Sequence, residues 1–164
     1  MTEPLIPARP EQIDAIAQAS RRLVTKRALM AAGVAVLPVP GLDWLADVSV
    51  LMKVIPEISR RFGLSEEQLA RLSPARRVAV YKALSAVGSV LAGRLVTRAL
   101  VVRALRLVGV RLGAQQVAKF VPIAGQALSA LLTFGALKYV CEQHIRQCEA
   151  VAREIHREGG AFPG

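Results

Sequence analysis

Aromatic residues are scarce: one Trp, two Tyr and four Phe among 164 residues. Alternating runs of β-branched and aromatic residues are missing too, so a sheet has little to build on. Hydrophobic residues nevertheless make up 53% of the chain, dominated by Ala, Leu and Val, which suits helices packed through small and branched aliphatic side chains. Cysteine is nearly absent. Cys141 and Cys148 are separated by about 10 Å of helix, beyond disulfide reach, so reduced thiols and a cytoplasmic setting are expected. The opening "MTEPLIPARPEQID" lacks the apolar segment of a secretory signal. There is no HExxH, no Ser/His/Asp order and no nucleotide loop in a strand–helix context, so neither an enzyme nor a cofactor is expected.

The largest shortage is of acid. No Asp or Glu stands between Gln68 and Cys141, an interval holding eleven basic residues from Arg71 to Lys138. The remainder sets eleven basic residues against all twelve acidic ones, so the whole excess of the +10 charge lies in the middle of the chain. A segment both cationic and apolar suits an anionic membrane surface. It equally suits helices whose arginines reach from a buried face to water. Nucleic acid is disfavoured: the five arginines from Arg94 to Arg111 spread around their helix, and stacking platforms such as Tyr81 and Phe120 are few.

Helical periodicity covers most of the chain. Residues 1–10 read as a flexible arm, 11–158 as a single helical domain and 159–164 as a flexible tail. The first helix, from Glu11 to about Val36, repeats Ile13, Ile16, Ala17, Leu23, Val24 and Leu29 near helical spacing. "LPVPG" stops it, because Pro38 and Pro40 lack donors and Gly41 permits a left-handed turn. Asp43 is expected to cap the next helix, Trp44 to Phe62, which Gly63 ends. Ser65 and Gln68 stand at capping-box spacing, and Ser73 precedes a proline at the first helical position. The longest helix is expected from there to about Val108, bent near Gly88 or Gly93, and after "VPIAG" a last one runs to about Arg157.

Leu37–Gly41 and Val121–Gly125 match at an offset of 84 residues. The expected fold is therefore an all-α bundle of five to six helices, which can also be read as two pseudo-symmetric helix–turn–helix halves. Two windows without charge stand out: Ala28–Leu42, 15 residues, and Phe120–Leu137, 18 residues. Both fall short of the roughly 20 apolar residues of a span, and both contain a Pro/Gly break. Interfacial or re-entrant hairpins and the buried centre of a bundle remain as alternatives.

Three constellations bear on chemistry. Gly88–Leu95 has P-loop glycine spacing, but Arg94 and Leu95 replace the lysine and hydroxyl residue, and small residues in a packed helix explain it better. Cys141, His144 and Cys148 share a helix face and form a weak metal candidate. Ile145, Ala152 and Ile155 continue that stripe, which favours a core reading. His156 lies near a helix end, exposed to solvent. Asp43 and Asp47 beside Trp44 could serve as a carboxylate pair, yet both also suit a helix N-terminus.

"PVPGLDW" followed by "LADVSVLMKVIPEISRRFGLS" resembles the helical domain that follows the GTPase domain in immunity-related GTPases. It is similar also to bacterial membrane-associated proteins of the YcjF type. The matching residues are Pro38, Pro40, Gly41, Asp43, Phe62, Gly63 and Leu64, then Pro122 and Gly125, within a similarity spanning about 28 to 145. The resemblance implies a helical domain that contacts membranes or partner proteins, with any GTPase supplied separately.

The reading that follows is a non-enzymatic, membrane-associated interaction module at the cytoplasmic face, peripheral or partly inserted. Arg94, Arg98, Arg103 and Arg106, with Arg21, Arg22, Lys26 and Arg27, are the expected headgroup contacts, and Trp44 an interfacial or core residue. Pro38, Pro40, Gly41, Asp43, Pro122 and Gly125 are the expected turn residues. Partners would be anionic lipids, a GTPase or other protein, or further copies of the chain. A membrane-permeabilising effector and a soluble helical scaffold are the alternatives.

Overall fold

The computed structural model describes residues 6–7, 9–35, 42–88, 103 and 122–159. Most of these are helical and none lies in a strand, so the described part of the chain is all-α. Its helices are α1 (Pro10–Ala35), α2 (Leu42–Arg61), α3 (Glu66–Ala70), α4 (Pro74–Val87) and α5 (Pro122–Gly159). The chain divides into two compact units. Unit 1 comprises Met1–Arg21, Ile55–Leu95 and Gln143–Gly164; unit 2 comprises Arg22–Val54 and Val96–Glu142. The long helices α1, α2 and α5 serve each unit in turn, because each carries a buried stripe through both of its parts.

In unit 1, Ile13, Ala17 and Ser20 of α1 are buried, as are Ile55, Ile58, Ser59 and Phe62 at the end of α2. Val80, Ala83 and Leu84 of α4 and His144, Ile145, Cys148, Val151 and Ala152 of α5 complete that core. The spacing of three and four residues along each helix puts these side chains on one face. Ion pairs join α1 to α5 at the rim. Arg21 reaches Glu149 at 2.9 Å and Arg153 reaches Asp14, while within α5 Arg153 also stands 3.9 Å from Glu149. In unit 2 the buried residues are Val24, Ala28 and Ala31 of α1, Val48, Leu51 and Val54 of α2, and Leu137, Val140 and Cys141 of α5.

Local signals decide where the helices end. Gly63 adopts φ +72 after α2, with Gly63 N–H donating to Arg60 C=O at 3.1 Å and Leu64 N–H to Ser59 C=O at 2.8 Å. That pair of bonds satisfies the carbonyls a helix end leaves orphaned, and glycine meets the left-handed backbone without a Cβ clash. The Ser65 box forms in full. Gln68 N–H donates to Ser65 Oγ at 3.3 Å, and Ser65 N–H to Gln68 Oε1 at 3.2 Å. Arg77 closes the turn from α3 to α4 by donating to the carbonyls of Ala70 and Leu72 at 2.6 and 3.3 Å.

Several expectations are corrected. α4 does not run to Val108: it stops at Val87, where Gly88 takes φ +67. Ser73 stands at its N-cap, but the hydroxyl makes no capping bond. Asp43 lies inside the first turn of α2, which opens at Leu42, so it is not the cap residue. Pro122 and Gly125 form no turn between helices; they lie in the first turn of α5, where a proline needs no donor. Pro38, Pro40 and Gly41 lie outside the described residues. Leu29 belongs to no core, being 59% exposed. In the expected arm, Pro7 is buried and Ile6 lies against Gly63, 3.1 Å from where a Cβ would stand.

Candidate functional site

Two arrangements carry chemical information: a sealed polar cluster in unit 1 and an exposed basic–apolar strip in unit 2. The cluster is built by α2 and α5, whose buried faces turn Ser59 and His144 toward each other. Ser59 Oγ and His144 Nε2 are hydrogen-bonded at 2.9 Å, and Cys148 Sγ lies 3.7 Å from the same nitrogen. His144 Nδ1 has no hydrogen-bond partner. Burial holds the imidazole neutral by lowering its pKa to about 4, while the nearby Ile55 carbonyl opposes that shift without completing a bond to Nδ1.

A hydroxyl bonded to an imidazole has the form of a nucleophile–base pair. Here neither group meets solvent, since Ser59 is 4% and His144 1% exposed. A substrate has no approach, and an imidazole of such low basicity is poorly matched to proton abstraction near neutrality. The pair is a polar link between two core helices, and it satisfies groups that would otherwise be costly to bury.

The candidate metal residues fare similarly. Cys141 and Cys148 are buried free thiols. Burial pushes Cys141 up to about 12 and also raises Cys148, with the Glu149 charge adding to the effect there. A metal needs thiolate, and these environments hold the proton. Among the described residues no group of three His, Cys, Asp or Glu is placed to hold a metal ion. The core reading of the Cys141, Ile145, Cys148 and Ala152 stripe is what the burial shows, and His156 is exposed.

The strip lies on α1. Ile13, Ala17, Ser20, Val24, Ala28 and Ala31 take the inward positions, which leaves Arg22, Lys26, Leu29, Met30 and Gly33 outward at three- and four-residue spacing. Arg27 is exposed at its edge. Leu29 and Met30 are each 59% exposed, one turn beyond the cations. None of Arg22, Lys26 and Arg27 is ion-paired with a described residue, and α1 has no acid after Asp14. The juxtaposition recurs in unit 2: Met52 beside Lys53 on α2, and Leu131, Lys138 and Tyr139 on α5. Lys138 Nζ stands 5.6 Å from the Phe134 ring centroid, within cation–π range.

The expected headgroup residues therefore divide. Arg22, Lys26 and Arg27 stand together on α1. Arg21 is turned aside, its guanidinium held by Glu149. Arg103 is helical and exposed, whereas Arg94, Arg98 and Arg106 lie outside the described residues. Trp44 is in α2, and its side chain lies outside the description. Sequence reasoning missed Ser59 as the partner of His144, 85 residues away, and missed the exposure of Leu29 and Met30. The second follows only once packing fixes which residues from Ile13 to Ala31 face inward, leaving both off that face. No described helix is long and apolar enough to cross a membrane. Comparison with family models, with curated proteins and with solved structures gives no match.

Proposed function

We propose that the protein is a non-enzymatic helical module that binds anionic membrane peripherally, at a cytoplasmic face. The observation that carries this reading is the outward strip of α1, where Arg22, Lys26 and Arg27 precede exposed Leu29 and Met30. Water gains nothing from two large apolar side chains at this exposure, whereas the acyl boundary of a bilayer takes them favourably. Phosphate headgroups at the same depth meet the cations, each worth about 1 kcal/mol near an anionic surface. The acid-free stretch from Gln68 to Cys141 keeps the central part of the chain free of repulsion from such a surface. The resemblance to helical domains of immunity-related GTPases and YcjF-type proteins supports a protein partner as well, with a GTPase among the classes to try.

Co-sedimentation with vesicles tests the reading. The protein should pellet with phosphatidylserine-containing vesicles and stay in the supernatant with neutral ones, and 1 M salt should release most of it by screening, as expected for charges within a Debye length of the surface. Joint substitution of Arg22→Glu, Lys26→Glu and Arg27→Glu should sharply reduce pelleting without altering the circular dichroism spectrum. A protein indifferent to anionic lipid refutes the proposal, and leakage of entrapped dye would point to permeabilisation in its place.

A further inference from the structure

We infer that the outward face of α4 in unit 1 is a separate contact with anionic lipid, made by Val78 and Tyr81 with Arg71 and Lys82 as its cations. This rests on the lipid reading above and extends it to a helix outside the expected headgroup residues.

α4 is apolar on two faces. Val80, Ala83 and Leu84 face the core, yet the opposite side presents Val78 at 61% and Tyr81 at 50% exposure. A helix with one face in water ordinarily turns charge to that side. Here Lys82 is the charge on that side and the other exposed neighbours, Pro74, Ala75, Ser85 and Ala86, are small, so Val78 and Tyr81 are the bulky apolar groups left in solvent. Tyrosine joins an apolar ring to a polar tip, the combination favoured at membrane–water boundaries.

Charge selects the occupant. Arg71 and Lys82 are exposed, and no acid occurs from Gln68 to Cys141. Arg77 is not counted, since its guanidinium is engaged by the Ala70 and Leu72 carbonyls. A second copy laid on this face would bring the same cations against these. The chain's own stretch from Arg94 to Arg111 is likewise positive. An anionic bilayer accepts both features together, with the apolar tips at the acyl boundary and the cations among phosphates.

An environment-sensitive maleimide dye at single introduced cysteines tests this, because Cys141 and Cys148 are buried and the unsubstituted protein reports any background labelling. Ser85→Cys reports α4 while leaving Val78 and Tyr81 intact, Gly33→Cys reports the α1 strip, and Glu66→Cys serves as an exposed control. With phosphatidylserine/phosphatidylcholine vesicles, emission from positions 85 and 33 should move to the blue, and position 66 should not respond. Adding Arg71→Glu and Lys82→Glu should weaken the response at 85 roughly 25-fold in lipid concentration, about fivefold for each cation. Adding Val78→Asp and Tyr81→Asp should remove it. A response at 33 with silence at 85 overturns the α4 contact and leaves the α1 reading standing. Silence at both overturns the two together. A blue shift at 85 that grows with protein concentration without vesicles assigns the face to a second copy and also overturns the lipid contact.

Discussion

His144 concentrates the residue-scale physics of unit 1. Its ring is neutral because burial penalises the charged form, and its pKa falls from 6.5 to about 4. The unfolded chain therefore takes up a proton in a pH range where the native one does not, and stability rises with pH there. The contribution is complete above about pH 6.5 and is lost as pH falls toward 4, amounting to about 3 kcal/mol in full. Urea unfolding at pH 7.5 and pH 5.0 should show this loss, and His144→Leu should flatten the dependence between those values. Ser59→Ala removes the partner of Nε2 from a sealed site and should cost about 1–3 kcal/mol by the same measurement. Neither consequence could be read from composition, because Ser59 and His144 are 85 positions apart and only packing of α2 on α5 joins them.

At the scale of elements, the glycines separate local from tertiary causes. Gly63 has φ +72, and Ile6 would stand 3.1 Å from an added Cβ. Gly63→Ala should therefore destabilise by about 1–2 kcal/mol from backbone strain alone, and further through displacement of Ile6. Gly33 is helical with nothing within 4 Å of a Cβ. Gly33→Ala should stabilise by about 0.5–1 kcal/mol. Opposite shifts in thermal midpoint would check the pair together. The Ser65 box and the Gly63 stop were legible because their donors and acceptors lie within a few residues of one another. Other boundaries were not. Gly88, expected at a bend, is a terminus. "VPIAG" has the composition of a turn, yet Pro122 opens α5, since a proline tolerates the first helical turn as readily as it breaks a later one.

At the scale of the whole molecule, charge and hydrophobicity act together. The excess of basic residues is fixed by the sequence, but the ion pairs show which cations are already committed. Arg21 is spent on Glu149 and Arg153 on Asp14, while Arg22, Lys26 and Arg27 are left to solvent. Arg21→Ala should therefore cost stability, by up to about 1 kcal/mol for a half-exposed pair, and leave vesicle binding nearly unchanged. Arg22→Ala should do the reverse. Parallel unfolding and co-sedimentation curves distinguish the two residues, although they are adjacent in sequence.

The sequence by itself determined the helical class, the capping box, the stop at Gly63 and the placement of the excess charge. Each depends on residues near one another along the chain or on totals that folding does not alter. Tertiary structure decided the division into two units, the burial of the polar pair, and which members of the apolar and basic sets reach solvent. Leu29 shows the reason. Its hydrophobicity is the same on either face of α1, and only the stripe from Ile13 to Ala31, once packed in the two cores, determines that it points outward.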